Sequence, residues 1–398
     1  MIDETNFALR KVVDSAVKST INIDETASLM DLYVSRKKVL NLSDRQIQKI
    51  LGMDRNTLNP ILQGTAKHIN FINVLKLAHF FGVSVNDFAK LYIPEMDTHT
   101  IGEIERSRQA GFIIEYFDIS VLMKMKFLKK DSTSKDISDR ITRFFGLDVL
   151  YDYSNSESFT AFSRSKRSSN DLMRNFWVQS ALGHFAYISN PNPYRRDKLI
   201  DLIPKIRPYT RDVKSGLIKV LKALYNIGVT VIFQQGVEKL QVRGATMAVN
   251  GKPCIVLSDV QNNYPTLWFA LLHELHHVLF DFEEIEKRVY HISSGEGDLF
   301  LMDEGNADSF ARDYLLNDSR LKFASGYIAS NMHVEKLAKE WGVHPSIIYS
   351  IYCYETNEWA FYGKYIPKMD EAIALLNTHP FEKETLIESA RKIKELIS

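Results

Sequence analysis

The stretch LLHELHHVLF, residues 271–280, sets two histidines four positions apart inside an apolar run. On a helix of 3.6 residues per turn, His273 and His277 share one face and can hold one cation together, with Glu274 flanking the same cleft. A second stretch, DEGNADSFARDYLL at 303–316, opens a helix with Glu304 and Asp308 one turn apart. Glu304 is the candidate third ligand. Asp308 is the candidate support that accepts the ring N–H of a liganding histidine. An acidic first helical turn alone follows from the helix dipole. The dipole does not account for a histidine pair and a Glu/Asp pair on successive amphipathic helices.

Two imidazoles and a carboxylate suit zinc, with manganese as the alternative, and three protein ligands leave a fourth position open for water. Glu274 is then the candidate general base. Tyr290, His291 and His344 are the candidates for a donor to the oxyanion. His276, about 100° around the helix from His277, reads as a core or rim residue. Between 281 and 308 there are nine acids against Lys287 and Arg288, so the mouth of the site reads as negatively charged.

Working outward, Asn263-Tyr264-Pro265 precedes this helix. Before it, Ala245–Val249 and Cys254–Leu257 flank Asn250-Gly251, the preferred dipeptide of a tight hairpin turn. With Ile227–Phe233 these predict a small antiparallel sheet ahead of the metal helix, with Cys254–Leu257 as an edge for an extended substrate. Asp281–Phe300 reads as a loop. Val334–Trp341 and the segment opening at Pro345 read as helices, and Glu384–Ile397 as a terminal helix packed on its own domain.

Near the N-terminus, LNLSDRQIQKILGMDRNTLNPILQG, residues 40–64, has helix-turn-helix spacing. Leu42, Ile47 and Leu51 pack the first helix, Gly52 permits the turn, and Asp54 or Asn56 caps the second. Seven basic residues stand against Asp44 and Asp54 between 36 and 67, within a chain of 50 Lys plus Arg and 49 Asp plus Glu. That local excess is the footprint of a phosphate-facing surface. The DNA-contact candidates are Arg36, Lys37, Arg45, Arg55, Asn56, Thr57, Asn59 and Lys67. Pro60 lies inside the second helix, where it removes one N–H bond.

With 398 residues, 45% apolar, the chain has material for several cores. The predicted fold is α+β and mostly helical. Residues 1–26 form an arm and 27–93 a five-helix DNA-binding domain. Residues 94–225 form a helical or mixed linker, with strand candidates at Val149–Tyr153 and Ser158–Phe162. The metal domain follows at 226–366, and 367–398 close the chain as a helical segment. Cys254 and Cys353 are the only two cysteines and read as reduced thiols of a cytoplasmic protein. No apolar run reaches the ~18 residues of a membrane span.

HELHH followed by Glu304, Ala307, Phe310 and Ala311 in an ExxAxxFA pattern resembles the ImmA/IrrE family of metallopeptidases. The upstream run GATMAVNGKPCIVLSDVQNNYPTLWFALLHE, 244–274, is similar to that family's passage from hairpin to active helix, and the likeness extends over about 164–354. The family usually has Asn where this chain has Asp308, a departure that resembles the thermolysin-like ExxxD pattern. The resemblance implies a zincin-like domain and a cytoplasmic endopeptidase that cleaves repressor-type regulators. The N-terminal run, closed by FINVLKLAHFFGVSVNDFAKL at 71–91, resembles the Cro-like (XRE) DNA-binding domain. Together these imply a homodimer on a DNA operator with a protein substrate or toxin-like partner. The alternative is a repressor or antitoxin whose peptidase-like domain senses or binds without turnover.

Overall fold

The computed structural model describes residues 28–66, 68–93, 98–155, 169–237, 240, 242–260, 262–288, 290–294, 304–376, 381–382 and 385–398. The N-terminal arm at 1–26, the strand candidate at 158–162 and Lys67 lie outside these. The fold is mostly helical with a small mixed sheet, an α+β architecture. The chain divides into two compact units, 1–110 and 111–398.

In the first unit five short helices follow one another: α1 Leu29–Leu40, α2 Asp44–Leu51, α3 Arg55–Leu62, α4 Phe71–Phe81 and α5 Val85–Tyr92. Each begins at a residue whose side-chain oxygen accepts a backbone N–H of the first turn: Ser28, Ser43, Asp54, Asn70 and Ser84. The breaks end in left-handed residues at Asn41, Gly52 and Gly82. Leu29, Ile47, Leu58, Leu77, Phe81 and Phe88 form a core of its own. Helix α6, Thr98–Tyr116, carries the chain across the division, which falls after Ala110 and not within 93–105.

The expected linker is not one. From α7 Ile119–Lys124 and α8 Ser134–Phe145 through α9 Ser169–Ile188, α10 Arg196–Ile206 and α11 Gly216–Asn226, the helices share one continuous core with the rest of the second unit. The reason is apolar density: Phe144, Phe176, Trp177, Leu199 and Leu221 are buried, and their area outweighs the local polarity that suggested a linker. Leu150–Asn155 is a 3-10 turn where a strand was expected.

The sheet contains β1 Thr230–Phe233, β2 Val242–Val249, β3 Lys252–Leu257 and β4 Tyr290–Ser294, in the order β1-β3-β2-β4. Asn250 (φ 53°) and Gly251 (φ 69°) make the tight β2–β3 turn. Two expectations are corrected here. The sheet is mixed, since β1 runs parallel to β3, and β3 is interior, so Cys254–Leu257 offers no free edge. The outer strands are β1 and β4, and β4 follows the metal helix in sequence.

The helices after β3 are α12 Tyr264–Phe280 and α13 Phe282–Arg288, which precede β4, and then α14 Glu304–Leu316, α15 Asp318–Ser325, α16 Asn331–Trp341, α17 Pro345–Thr356, the short α18 Trp359–Tyr362 and α19 Asp370–Ile373, and α20 Leu386–Ile397. Helix α13 and strand β4 replace much of the loop expected at 281–300. Helix α20 packs on α9, with His184 Nε2 2.9 Å from Ser389 Oγ. Both cysteines are buried free thiols. Among the described residues no helix is long and apolar enough to cross a membrane.

Candidate metal centre

Helix α12 starts where Asn263 accepts the N–H of Thr266 and Pro265 occupies the first turn. It is buried along most of its length: Tyr264, Leu267, Trp268, Leu271, Leu272, Leu275 and Val278 all lie inside, the signature of a helix enclosed by its domain. His273, Glu274 and His277 are therefore buried polar groups, 5%, 1% and 0% exposed, and each needs a partner.

The two histidines are held alike. His273 Nδ1 lies 2.9 Å from Asp308 Oδ1, and His277 Nδ1 lies 2.8 Å from Asp281 Oδ2. A carboxylate only accepts, so each Nδ1 carries a hydrogen, and when the ring is neutral each Nε2 is the acceptor that can meet a cation. The two Nε2 atoms stand 3.2 Å apart. Glu304 closes the set, with Oε2 3.0 Å from His273 Nε2 and Oε1 3.9 Å from His277 Nε2. The donor atoms of His273, His277 and Glu304 lie close enough to one another to share one metal ion.

The electrostatics agree with a site for positive charge. Burial opposes protonation of His273, yet the hydrogen bonds with Asp308 and Glu304 and the field of Glu274 overcome it and lift its pKa to about 10. Burial of Glu304 favours its neutral form. Hydrogen bonds with His273 and His291 outweigh that and hold its carboxyl far below the usual range.

Glu274 faces the sheet. Its Oε2 accepts a 2.7 Å bond from the buried Thr246 hydroxyl on β2, while Oε1 is buried with no hydrogen-bond partner. A Cβ at Gly244 would lie 2.5 Å from that Oε1, so only glycine leaves the carboxylate its room. Among the described residues that buried oxygen has no hydrogen-bond partner, and a metal-bound water would satisfy it.

Of the remaining candidates, His291 joins the cluster: its Nε2 is 2.6 Å from Glu304 Oε1 and its ring centroid 4.6 Å from that of His277. Tyr290, its neighbour on β4, points to the opposite face because side chains alternate along a strand. His344 belongs elsewhere. It caps α17, its Nδ1 accepting the Ser346 N–H at 3.2 Å, and its ring packs on Tyr264. Tyr264 precedes His273 by nine residues, roughly 13 Å along the helix. The half-buried His276 has Nδ1 3.7 Å from Asp281, consistent with the rim. His276, His277 and Asp281 also have donor atoms near enough to share an ion, but Asp281 is already engaged by His277.

Three residues of the site escaped the sequence reading. Asp281 had a signal, since it stands four positions after His277 on the same helical face. Thr246 and Gly244 had none, because their roles depend on sheet register.

In the first unit the second of the paired helices, α3, exposes Arg55 and Asn56, with Thr57 and Asn59 half-buried. Arg45 is exposed. Two expected phosphate contacts are engaged within the fold: Arg36 Nε donates to the Phe80 carbonyl at 3.0 Å, and Lys37 Nζ lies 2.7 Å from Asp44. Comparison of the chain with protein-family models, with curated proteins and with solved structures finds no match.

Proposed function

We propose that the second unit is a zinc-dependent endopeptidase of the ImmA/IrrE type and that the first binds DNA, so that the protein regulates transcription by cleaving a partner regulator. The observation that carries the reading is the pair of Nε2 atoms 3.2 Å apart, each imidazole fixed through Nδ1 by its own carboxylate. His273, His277 and Glu304 would hold the cation. When bound, it supplies Lewis acidity, which acidifies water and polarises a carbonyl.

Glu274 carries the proton. It takes one from water as the water oxygen bonds to the peptide carbonyl carbon, and delivers it to the nitrogen as the C–N bond breaks. Thr246 binds only Oε2, which leaves Oε1 for that transfer. As an outer strand, β4 is the edge on which an extended substrate would pair, in place of β3. In the first unit, Arg55 and Asn56 on α3 supply the side chains for base contact, and a homodimer would read two half-sites.

One observation favours a second reading, a regulator that uses its metal without turnover: Glu274 is only 1% exposed. The test is digestion of a proteome-derived peptide library, read by mass spectrometry, with elemental analysis of the same protein. Under the peptidase reading Glu274→Gln keeps its zinc and loses cleavage, and His273→Ala loses both. Zinc at full occupancy with no cleavage by the unaltered protein would decide for the regulator.

A further inference from the structure

A cavity of about 400 Å³ lies between the first half of α12, α14 and α17, within the size range of ligand sites. Phe269, Leu315, Ile347, Ile351 and Tyr354 give it apolar walls. It adjoins the metal cluster: Asp308, on its wall, holds His273 Nδ1 at 2.9 Å, and the ring of Phe269 is 6.3 Å from that of His273.

Its charges are matched except for one. Asp308 is engaged by His273, and Arg312 pairs with Glu355 at 2.5 Å and Asp318 at 2.7 Å. Arg243, half-buried at the β2 side, makes no ion pair among the described residues. The sheet aims it there. Against β4, Val242 pairs with Ser294 and Gly244 with Ser293, so Arg243 is the extra residue of a bulge. Bulges beside active sites re-aim side chains in this way.

We propose that this cavity is a substrate subsite for an apolar, preferably aromatic, side chain flanked in the substrate by an acidic residue whose carboxylate pairs with Arg243. As a substrate subsite it rests on the peptidase reading. It differs from the expectation drawn from the acidic 281–308 stretch, since among the described residues the charge at the cavity that makes no ion pair, Arg243, is positive. The volume exceeds what a single Phe ring fills and leaves room for the flanking backbone, while the apolar walls and Arg243 disfavour a basic side chain, which would lose its hydration without a partner.

The probes are N-acetyl-phenylalanine, whose carboxylate stands in for that of the acidic neighbour, its amide without the carboxylate, and N-acetyl-alanine without the ring, titrated against the full-length metal-free protein by ligand-observed NMR. N-acetyl-phenylalanine is expected to bind at least about tenfold more tightly than either control, the value of one charge-assisted bond or of a buried ring. Arg243→Gln should bring it down to the level of the amide. Ser309→Trp, placed at an exposed lining position, should abolish binding of both ring-bearing probes. Equal binding of all three probes, no binding of N-acetyl-phenylalanine, or binding unaffected by either substitution overturns the proposal. A cobalt titration of the same samples keeps the two readings apart. Cobalt taken up with the probe ignored removes the subsite and leaves the metal site standing. Probe bound with cobalt refused leaves a ligand cavity and removes the peptidase.

Discussion

Thr246 on β2 and His291 on β4 are register partners, and each holds one carboxylate of the metal cluster: Thr246 donates to Glu274 at 2.7 Å and His291 meets Glu304 at 2.6 Å. Directly opposed residues of an antiparallel pair share a face, so one rung of the sheet positions both the proposed proton carrier and the proposed third ligand. This divides their expected effects.

Thr246→Val keeps shape and removes the donor. Glu274 Oε2 then stays buried without its bond, at a cost of about 1–3 kcal/mol. Urea unfolding should show that loss, cobalt affinity should stay within about twofold, and Thr246→Ser should restore stability. Unchanged stability in Thr246→Val would mean that the hydroxyl does not hold the carboxylate.

His291→Ala should act on the metal instead. Without its partner Glu304 is free to rotate away, and loss of such a support typically costs 10–100-fold in metal affinity. Competition with a chromophoric chelator measures it. Affinity equal to that of the unaltered protein would remove His291 from the cluster.

Gly244→Ala tests the room beside the base. The added methyl, 2.5 Å from Glu274 Oε1, must displace the carboxylate, so cleavage should fall as far as in Glu274→Gln, by about 10²–10⁴-fold, while zinc is retained. Full cleavage by a folded Gly244→Ala protein would count against Glu274 as the base.

His184 gives the protein an acid-sensitive joint between α9 and α20. Fully buried, it is held neutral, its pKa lowered by desolvation from 6.5 to about 4. Between those values the unfolded chain binds a proton that the folded one refuses. Its stabilising contribution is therefore complete above pH 6.5 and is lost as pH falls towards 4, by up to about 3 kcal/mol. Urea midpoints at pH 7 and pH 4.5 should differ less in His184→Gln than in the unaltered protein. An equal difference in both would place the titration elsewhere.

For the first unit, Arg55→Ala should weaken DNA binding and lower the salt slope by about one. Lys37→Ala should change both less, because that ammonium already lies on Asp44. Mobility shifts at several salt concentrations separate them. A folded protein that binds no DNA even at low salt would refute the DNA-binding reading.

Much of this was legible from local periodicity. A spacing of four put His273 and His277 on one face, the Glu304/Asp308 pair followed the same rule, and Asp54 was one of the two residues expected to cap the second helix of the N-terminal pair, as it does. Asn250-Gly251 announced its hairpin, because only residues tolerant of positive φ make that turn. These features depend on residues within a turn or two of one another, where the backbone alone sets geometry.

Tertiary structure decided what joins distant segments. Strand order made β3 interior and β4 an edge, since pairing is chosen by which faces must be buried together. Burial of Phe144, Phe176 and Trp177 turned an apparent linker into core. The same packing took His344 out of the site and left Tyr290 facing away, while Asp281, Thr246 and Gly244 came into it. A hydrogen bond between residues 28 positions apart, such as Thr246 to Glu274, leaves no periodic trace in the chain, because it exists only once the sheet has packed on the helix.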